Sequence, residues 1–139
     1  SNGLAYAVTY QGDLSAIEIE QGRTIWRSST SSTNNIIYAK NKTLIVDSED
    51  FIRSYDGVKG NSLWVLEDFK LRQLSSPKRY QDFFIVGDFE GYLHLIDLNN
   101  GSIEARYRPT NKAVKEVFIF NDSFFSLDDS GKISALKIK

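Results

Sequence analysis

The fold is decided by residues 87–101, which read GDFEGYLHLIDLNNG. The pairs Glu90-Gly91 and Asn100-Gly101 are typical of tight turns, because these residue types accept the backbone angles that reverse a chain. Between the turns, residues 92–98 are so apolar that the strand they predict does not suit an open surface. The segment therefore predicts a turn, a buried strand and a second turn.

The same turn and strand recur with a period near forty residues, and two independent markers keep this step. The first marker begins each apolar strand, at Gly12, Asp50, Gly91 and Gly131. The second is a turn glycine followed four residues later by Trp or Ala, in the pairs Gly22–Trp26, Gly60–Trp64 and Gly101–Ala105. Two markers with one period indicate a true internal repeat.

Each repeat contains four short runs rich in Val, Ile, Phe and Tyr, separated by turn residues. In the most complete repeat the predicted strands are 76–80, 82–86, 92–98 and 102–108. Four antiparallel strands in about forty residues are typical of a β-propeller blade. A sandwich or a barrel is the structural alternative, but neither predicts so regular a step.

The ends of the chain predict incomplete blades. The first repeat begins at a second strand, 4–9, and the last stops after a third strand, 133–138. We therefore expect an all-β partial propeller of about 3.5 four-stranded blades, in units 1–30, 31–70, 71–110 and 111–139. Since propellers close with about four to eight blades, the chain is predicted to be the C-terminal part of a larger propeller. The isolated chain is expected either to self-associate through its unpaired edges or to require an N-terminal complement.

Composition excludes several classes of function. With a net charge of −1, the chain lacks the concentrated basic surface that a nucleic-acid-binding protein needs. The chain has no Cys and one His, which rules out thiolate chemistry, zinc–sulfur sites and a two-histidine metal site. No catalytic residue, metal site or cofactor site is predicted.

Three kinds of residue have both a structural and a functional interpretation. Trp26 and Trp64 are predicted to pack between blades rather than to stack on a ligand. His94 is predicted to be a hydrogen-bonded structural residue. Acidic residues recur beside one class of turn and suit either calcium or turn hydrogen bonds, of which we favour the second. They are Asp47, Glu49, Asp50, Asp88, Glu90, Asp128 and Asp129.

Two loops combine charge with apolar residues. The first, 68–74, reads DFKLRQL, and the second basic loop spans 106–115. Loops on a rigid scaffold commonly carry function, and Arg beside apolar residues suits a protein partner. Both are candidate contact surfaces, with ordinary solvated loops as the alternative.

The repeat also resembles a known family. The motif in 21–26, QGRTIW, is similar to the blade repeat of quinoprotein-type propellers. Within that group the chain is most similar to the BamB family of the bacterial outer-membrane β-barrel assembly (Bam) complex. The matching stretches are 2–14, 74–94 and 129–136.

This resemblance implies a non-enzymatic scaffold in an eight-bladed propeller whose last blade is completed by an N-terminal strand. It further implies a lipid anchor outside this chain, a place at the periplasmic face of the outer membrane, and binding to the POTRA domains of BamA and to unfolded outer-membrane protein clients. The family's main BamA-contacting loops precede residue 1, and Lys70, Leu71, Arg72 and Gln73 occupy an equivalent loop of a later blade. The alternative is a fragment of a quinone (PQQ)-dependent dehydrogenase, which would need calcium-coordinating carboxylates and commonly a vicinal Cys pair.

Overall fold

A computed structural model describes residues 3–8, 12–30 and 36–137. The chain divides into two compact units, Ser1–Asp68 and Phe69–Lys139. The described residues form fourteen strands in four antiparallel sheets, two sheets in each unit. This confirms the all-β prediction with three, four, four and three strands per sheet.

The first unit holds a three-stranded and a four-stranded sheet. Its strands are β1 (Leu4–Val8), β2 (Asp13–Glu18), β3 (Arg23–Ser29), β4 (Ile37–Ala39), β5 (Lys42–Val46), β6 (Ile52–Asp56) and β7 (Ser62–Leu66). Neighbouring strands in each sheet are also neighbours in sequence, in the orders β1-β2-β3 and β4-β5-β6-β7. Short turns suffice to join such strands, as the sequence predicts.

The second unit holds a four-stranded and a three-stranded sheet. Its strands are β8 (Lys78–Tyr80), β9 (Phe83–Gly87), β10 (Leu93–Asp97), β11 (Ile103–Tyr107), β12 (Val114–Phe120), β13 (Ser123–Asp128) and β14 (Ile133–Lys137). Strands β8 to β11 begin and end within two residues of their predicted bounds. The predicted strand ends Thr9 and Ile138 lie outside the described residues.

Burial falls from the middle strands of a sheet to its last strand. Strand β9 has four consecutive buried residues, whereas every residue of β11 is exposed. A strand covered on both faces needs a continuous apolar run, which is why β9 and β10 lack simple alternation. The part of the chain that the structure describes contains no helix with the length and apolar character of a transmembrane segment.

Trp26 joins the two sheets of the first unit, as predicted for a packing residue. Its indole Nε1 donates a hydrogen bond to the Gly57 carbonyl at 3.0 Å, in the turn between β6 and β7. The ring also lies against Gly60, where a Cβ atom would be 2.5 Å from Cδ2 of Trp26. Glycine is therefore required there for close approach as well as for its positive φ of 80°.

The repeat positions of the tryptophans share one register. Trp26 lies opposite Ala16, and Trp64 lies opposite Ser54, each beside a β-bulge. In the third sheet the sizes are exchanged, since Ala105 lies opposite Leu95 at the corresponding bulge. Leu95 packs against the core cluster that β9, β10, β12 and β13 share. In this sheet the large side chain of the pair therefore stands on the partner strand.

We expect Gly60→Ala to lower the free energy of unfolding by about 2–4 kcal/mol, because it adds a clash with Trp26 to the strain of a positive φ. Gly22→Ala is the matched control, since Gly22 also has a positive φ but a Cβ there meets nothing within 4 Å. It should cost about 1 kcal/mol. Denaturant unfolding measures both, and equal losses would contradict the role of the Trp26 contact.

Candidate functional site

Three aspartates cap the second hairpin turn of their sheets in the same way. Asp47, Asp88 and Asp128 each accept two backbone amide hydrogen bonds on Oδ1, from the residues two and four positions later. The amides belong to Glu49 and Phe51, to Glu90 and Tyr92, and to Ser130 and Lys132, at 2.9 to 3.1 Å. The recurrent carboxylates thus satisfy turn backbone, which confirms the favoured interpretation.

The other carboxylate oxygen has a different partner in each turn. Oδ2 of Asp47 accepts from Arg53 Nε at 2.8 Å, and Oδ2 of Asp128 accepts from the Thr110 hydroxyl. Oδ2 of Asp88 accepts two hydrogen bonds from Arg72, at 2.9 and 3.1 Å, and lies 2.7 Å from Nε2 of His94. His94 is thereby a hydrogen-bonded structural residue, as predicted. Its Nδ1 is buried and has no hydrogen-bond partner in the described structure.

The Asp88 carboxylate is fully buried and stays ionised. Burial by itself opposes ionisation, but the hydrogen bonds from His94, Arg72 and the amides of Tyr92 and Glu90 outweigh it. Together they lower the pKa of Asp88 to about 2. A charged group in this position holds its neighbours firmly, because losing any partner leaves a buried charge less satisfied.

Arg72 fixes loop 68–74, the first of the two predicted contact surfaces. Its guanidinium also lies 3.4 Å from Oε2 of Glu90 and 5.6 Å from the centre of the Phe89 ring. Its carbonyl accepts a hydrogen bond from the Phe89 amide at 3.0 Å. Arg72 is therefore committed to holding the loop.

The loop is anchored on one side and exposed on the other. Phe69 is buried, with its ring centre 4.4 Å from that of His94. Lys70 and Gln73 are exposed, and the Leu71 side chain is 65% exposed on a backbone with a φ of 58°. An apolar side chain held outward in this way is suited to contact with another protein.

The structure adds residues that sequence reasoning did not assign to this surface. Phe89 is 41% exposed beside Arg72, and Arg108 donates a hydrogen bond from Nε to the Glu90 carbonyl at 2.9 Å. The Arg108 guanidinium also lies over the Tyr92 ring. The forty-residue recurrence of Asp88 was visible in the sequence, but its partner sixteen residues earlier was not.

No group of three or more His, Cys, Asp or Glu side chains within the described ranges is arranged to hold a metal ion. Asp47, Asp88 and Asp128 accept hydrogen bonds from turn amides and from the side chains named above.

Comparison with known families identifies the repeat. The family model described as "Outer membrane protein assembly factor BamB" matches residues 1–118. The chain belongs to the BamB family. The BamB of Shewanella oneidensis is 36% identical over 134 residues, which cover 96% of this chain and 34% of that protein. The chain thus spans about a third of the length of this BamB relative.

Solved structures establish the propeller fold. The crystal structure of BamB from Moraxella catarrhalis superposes with a TM-score of 0.91 and 24% identity, over all of this chain and 42% of that one. A quinohemoprotein alcohol dehydrogenase from Comamonas testosteroni gives a TM-score of 0.64 at 18% identity, over 76% of this chain and 19% of the enzyme. At such identities both likenesses concern the fold alone, and they confirm that the sheets are blades of a partial propeller.

We expect the Asp88 carboxylate to contribute to stability above pH 4 and to lose that contribution as the pH falls to about 2. The sign follows because the pKa of Asp88 is lower in the folded protein than in the unfolded chain. The shift corresponds to about 2 kcal/mol. Denaturant unfolding between pH 2 and pH 6 measures it.

Two variants sharpen this measurement. Asp88→Asn should be less stable at neutral pH and should lack this part of the acid dependence. Arg72→Gln should lose stability at a higher pH than the unmodified protein, because the pKa of Asp88 rises when one hydrogen-bonding cation is removed. If the free energy of unfolding of Asp88→Asn fell between pH 4 and pH 2 as much as that of the unmodified protein, Asp88 would not be the source of this pH dependence.

Proposed function

We propose that this chain supplies blades of a non-enzymatic scaffold in outer-membrane protein assembly, and that Lys70, Leu71, Arg72 and Gln73 help to dock the POTRA domains of BamA. Membership of the BamB family supports the process. The observation that supports the surface is the outward-facing Leu71 on a loop fixed by Phe69 and by the Arg72–Asp88 ion pair. The roles within the loop differ, since Leu71 contacts the partner and Arg72 holds the loop that carries Leu71.

The mechanism is the presentation of a preformed surface. Association costs less when the contacting side chains are already ordered, and the Asp88 network orders this loop before any partner arrives. Leu71 and Phe89 offer apolar contact, while Lys70 and Glu90 provide a charged rim. A rigid surface of this kind suits a mobile modular partner such as a chain of POTRA domains.

The wider assignment rests on the family. We place the full-length protein at the periplasmic face of the bacterial outer membrane, held by a lipid anchor outside this chain, in an eight-bladed propeller that assists barrel insertion. Unfolded outer-membrane protein clients are a second class of partner. The likeness to the quinohemoprotein dehydrogenase is one of fold and supports neither a cofactor nor a redox reaction.

Leu71→Ala in the full-length protein is expected to raise the Kd for isolated BamA POTRA domains about tenfold, because it removes the most exposed apolar contact of the loop. Val58→Ala is the matched control, since Val58 is 49% exposed on a turn outside the loop. Calorimetric titration measures both. Equal affinity of Leu71→Ala and the unmodified protein would remove this loop as a docking site.

Addition of pyrroloquinoline quinone with calcium should leave the melting temperature of the full-length protein unchanged. A ligand that binds only the folded state raises that temperature, so a cofactor-binding propeller would be stabilised. A reproducible rise of several degrees would overturn the scaffold assignment in favour of the dehydrogenase alternative.

A further inference from the structure

The second basic loop of the sequence forms one wall of a pocket that shares only Arg108 with the proposed docking surface. The pocket has a volume of about 450 Å³ and lies where the segment 108–112 meets the turn between β13 and β14. Its basic members are Arg108, Lys112 and Lys132. Its acidic member is Asp128, which is buried.

The backbone around this pocket is held at several points. The Thr110 hydroxyl donates a hydrogen bond to Asp128 Oδ2, and Thr110 Oγ1 accepts a hydrogen bond from the Lys112 amide at 3.2 Å. At the far end of the loop, the amide of Val114 bonds to the Asp88 carbonyl at 2.9 Å, and the Ala113 carbonyl accepts from the Asp129 amide at 3.0 Å. The loop is therefore ordered without any ligand.

The turn at Gly91 is pressed against the same loop. A Cβ at Gly91 would lie 2.2 Å from the Thr110 carbonyl oxygen, so a larger residue would displace the loop. Arg108 bonds through Nε to Glu90 on this turn and lies 5.1 Å from the Tyr92 ring centre. These contacts fix the guanidinium at the pocket edge.

The positive charges of the pocket are not neutralised by the parts of the chain that the structure describes. None of Arg108, Lys112 and Lys132 forms an ion pair there. Lys132 Nζ has one long contact, 3.4 Å, with the Pro109 carbonyl. The Asp128 carboxylate is satisfied by Ser130, Thr110 and the Lys132 amide. Three cations thus face one enclosed carboxylate.

From this arrangement we propose that the pocket binds carboxylate side chains of an acidic segment in a partner protein. A held backbone that carries three cations favours an anion, and the contacts of Arg108 with Glu90 and Tyr92 already meet part of the cost of ordering the site. The guanidinium of Arg108 keeps its terminal nitrogens for a carboxylate, a pairing that its planar fork favours.

A protein carboxylate fits this site better than an anionic membrane does. Sequences that bind acidic lipid surfaces usually present clusters of about four to eight Lys or Arg residues. Here three cations converge on one concave pocket, in a chain whose net charge is −1. The geometry favours one or two acidic side chains over a flat charged surface.

The test uses the full-length protein and a fluorescein-labelled synthetic peptide of alternating Glu and Ser, titrated by fluorescence anisotropy at low salt. The peptide should bind, and Lys112→Gln combined with Lys132→Gln should raise its Kd at least about tenfold. Arg108→Gln should weaken binding in the same direction. A peptide with Gln in place of Glu should not bind.

Lys59→Gln is the matched control, because Lys59 is an exposed residue that does not line the pocket, and the Kd of this variant should stay within about twofold of that of the unmodified protein. Thermal unfolding verifies that each variant is folded. Leu71→Ala should leave peptide binding unchanged, so this test and that of the POTRA-docking loop fail independently.

Three results would overturn the proposal. They are failure of the acidic peptide to bind, equal binding by the Gln peptide, and equal affinity in the double variant. Inorganic phosphate and vesicles containing phosphatidylglycerol are the comparison ligands. Binding of either that depends on Lys112 and Lys132, without peptide binding, would assign the pocket to phosphate groups instead.

Discussion

The buried carboxylate of Asp88 is the constraint on which the candidate site depends. Removing an ion from water costs several kcal/mol unless charges and hydrogen bonds replace the lost hydration. Asp88 obtains them from Arg72, His94 and two turn amides. One side chain thereby ties a strand, a hairpin turn and the preceding loop together. The exposure of Leu71 follows, because a loop anchored to the sheet through Phe69 and Arg72 presents its other side chains to solvent.

The repeat conserves the turn but changes what the turn holds. Asp47, Asp88 and Asp128 close the same backbone turn through Oδ1, because that turn has the same amides to satisfy. Oδ2 is left to recruit a partner, which is an arginine, an arginine with a histidine, or a threonine hydroxyl. These three turns therefore share one arrangement on Oδ1, while Oδ2 ties a preceding loop to the sheet at Asp88 and Asp128 and a strand residue of the same hairpin at Asp47.

The strands were predictable because their signal is local. Apolar runs between turn residues placed β8 to β11 within two residues, and the forty-residue step gave the number of sheets. The candidate site was less predictable because its contacts are not local. The sequence pointed to Arg72 as one of four equivalent contact residues, whereas its guanidinium is committed to Asp88 and Glu90. Phe89 and Arg108 join the surface from other segments.

The sequence by itself determined the repeat, the all-β class, the turn positions and the family, since each is written in residue type and spacing along the chain. Tertiary structure alone decided which charges are neutralised. The buried Asp88 carboxylate pairs with Arg72. By contrast, Arg108, Lys112 and Lys132 line one pocket, and none of these three forms an ion pair with a described residue. Charge pairing depends on distances between side chains far apart in sequence, and folding sets those distances.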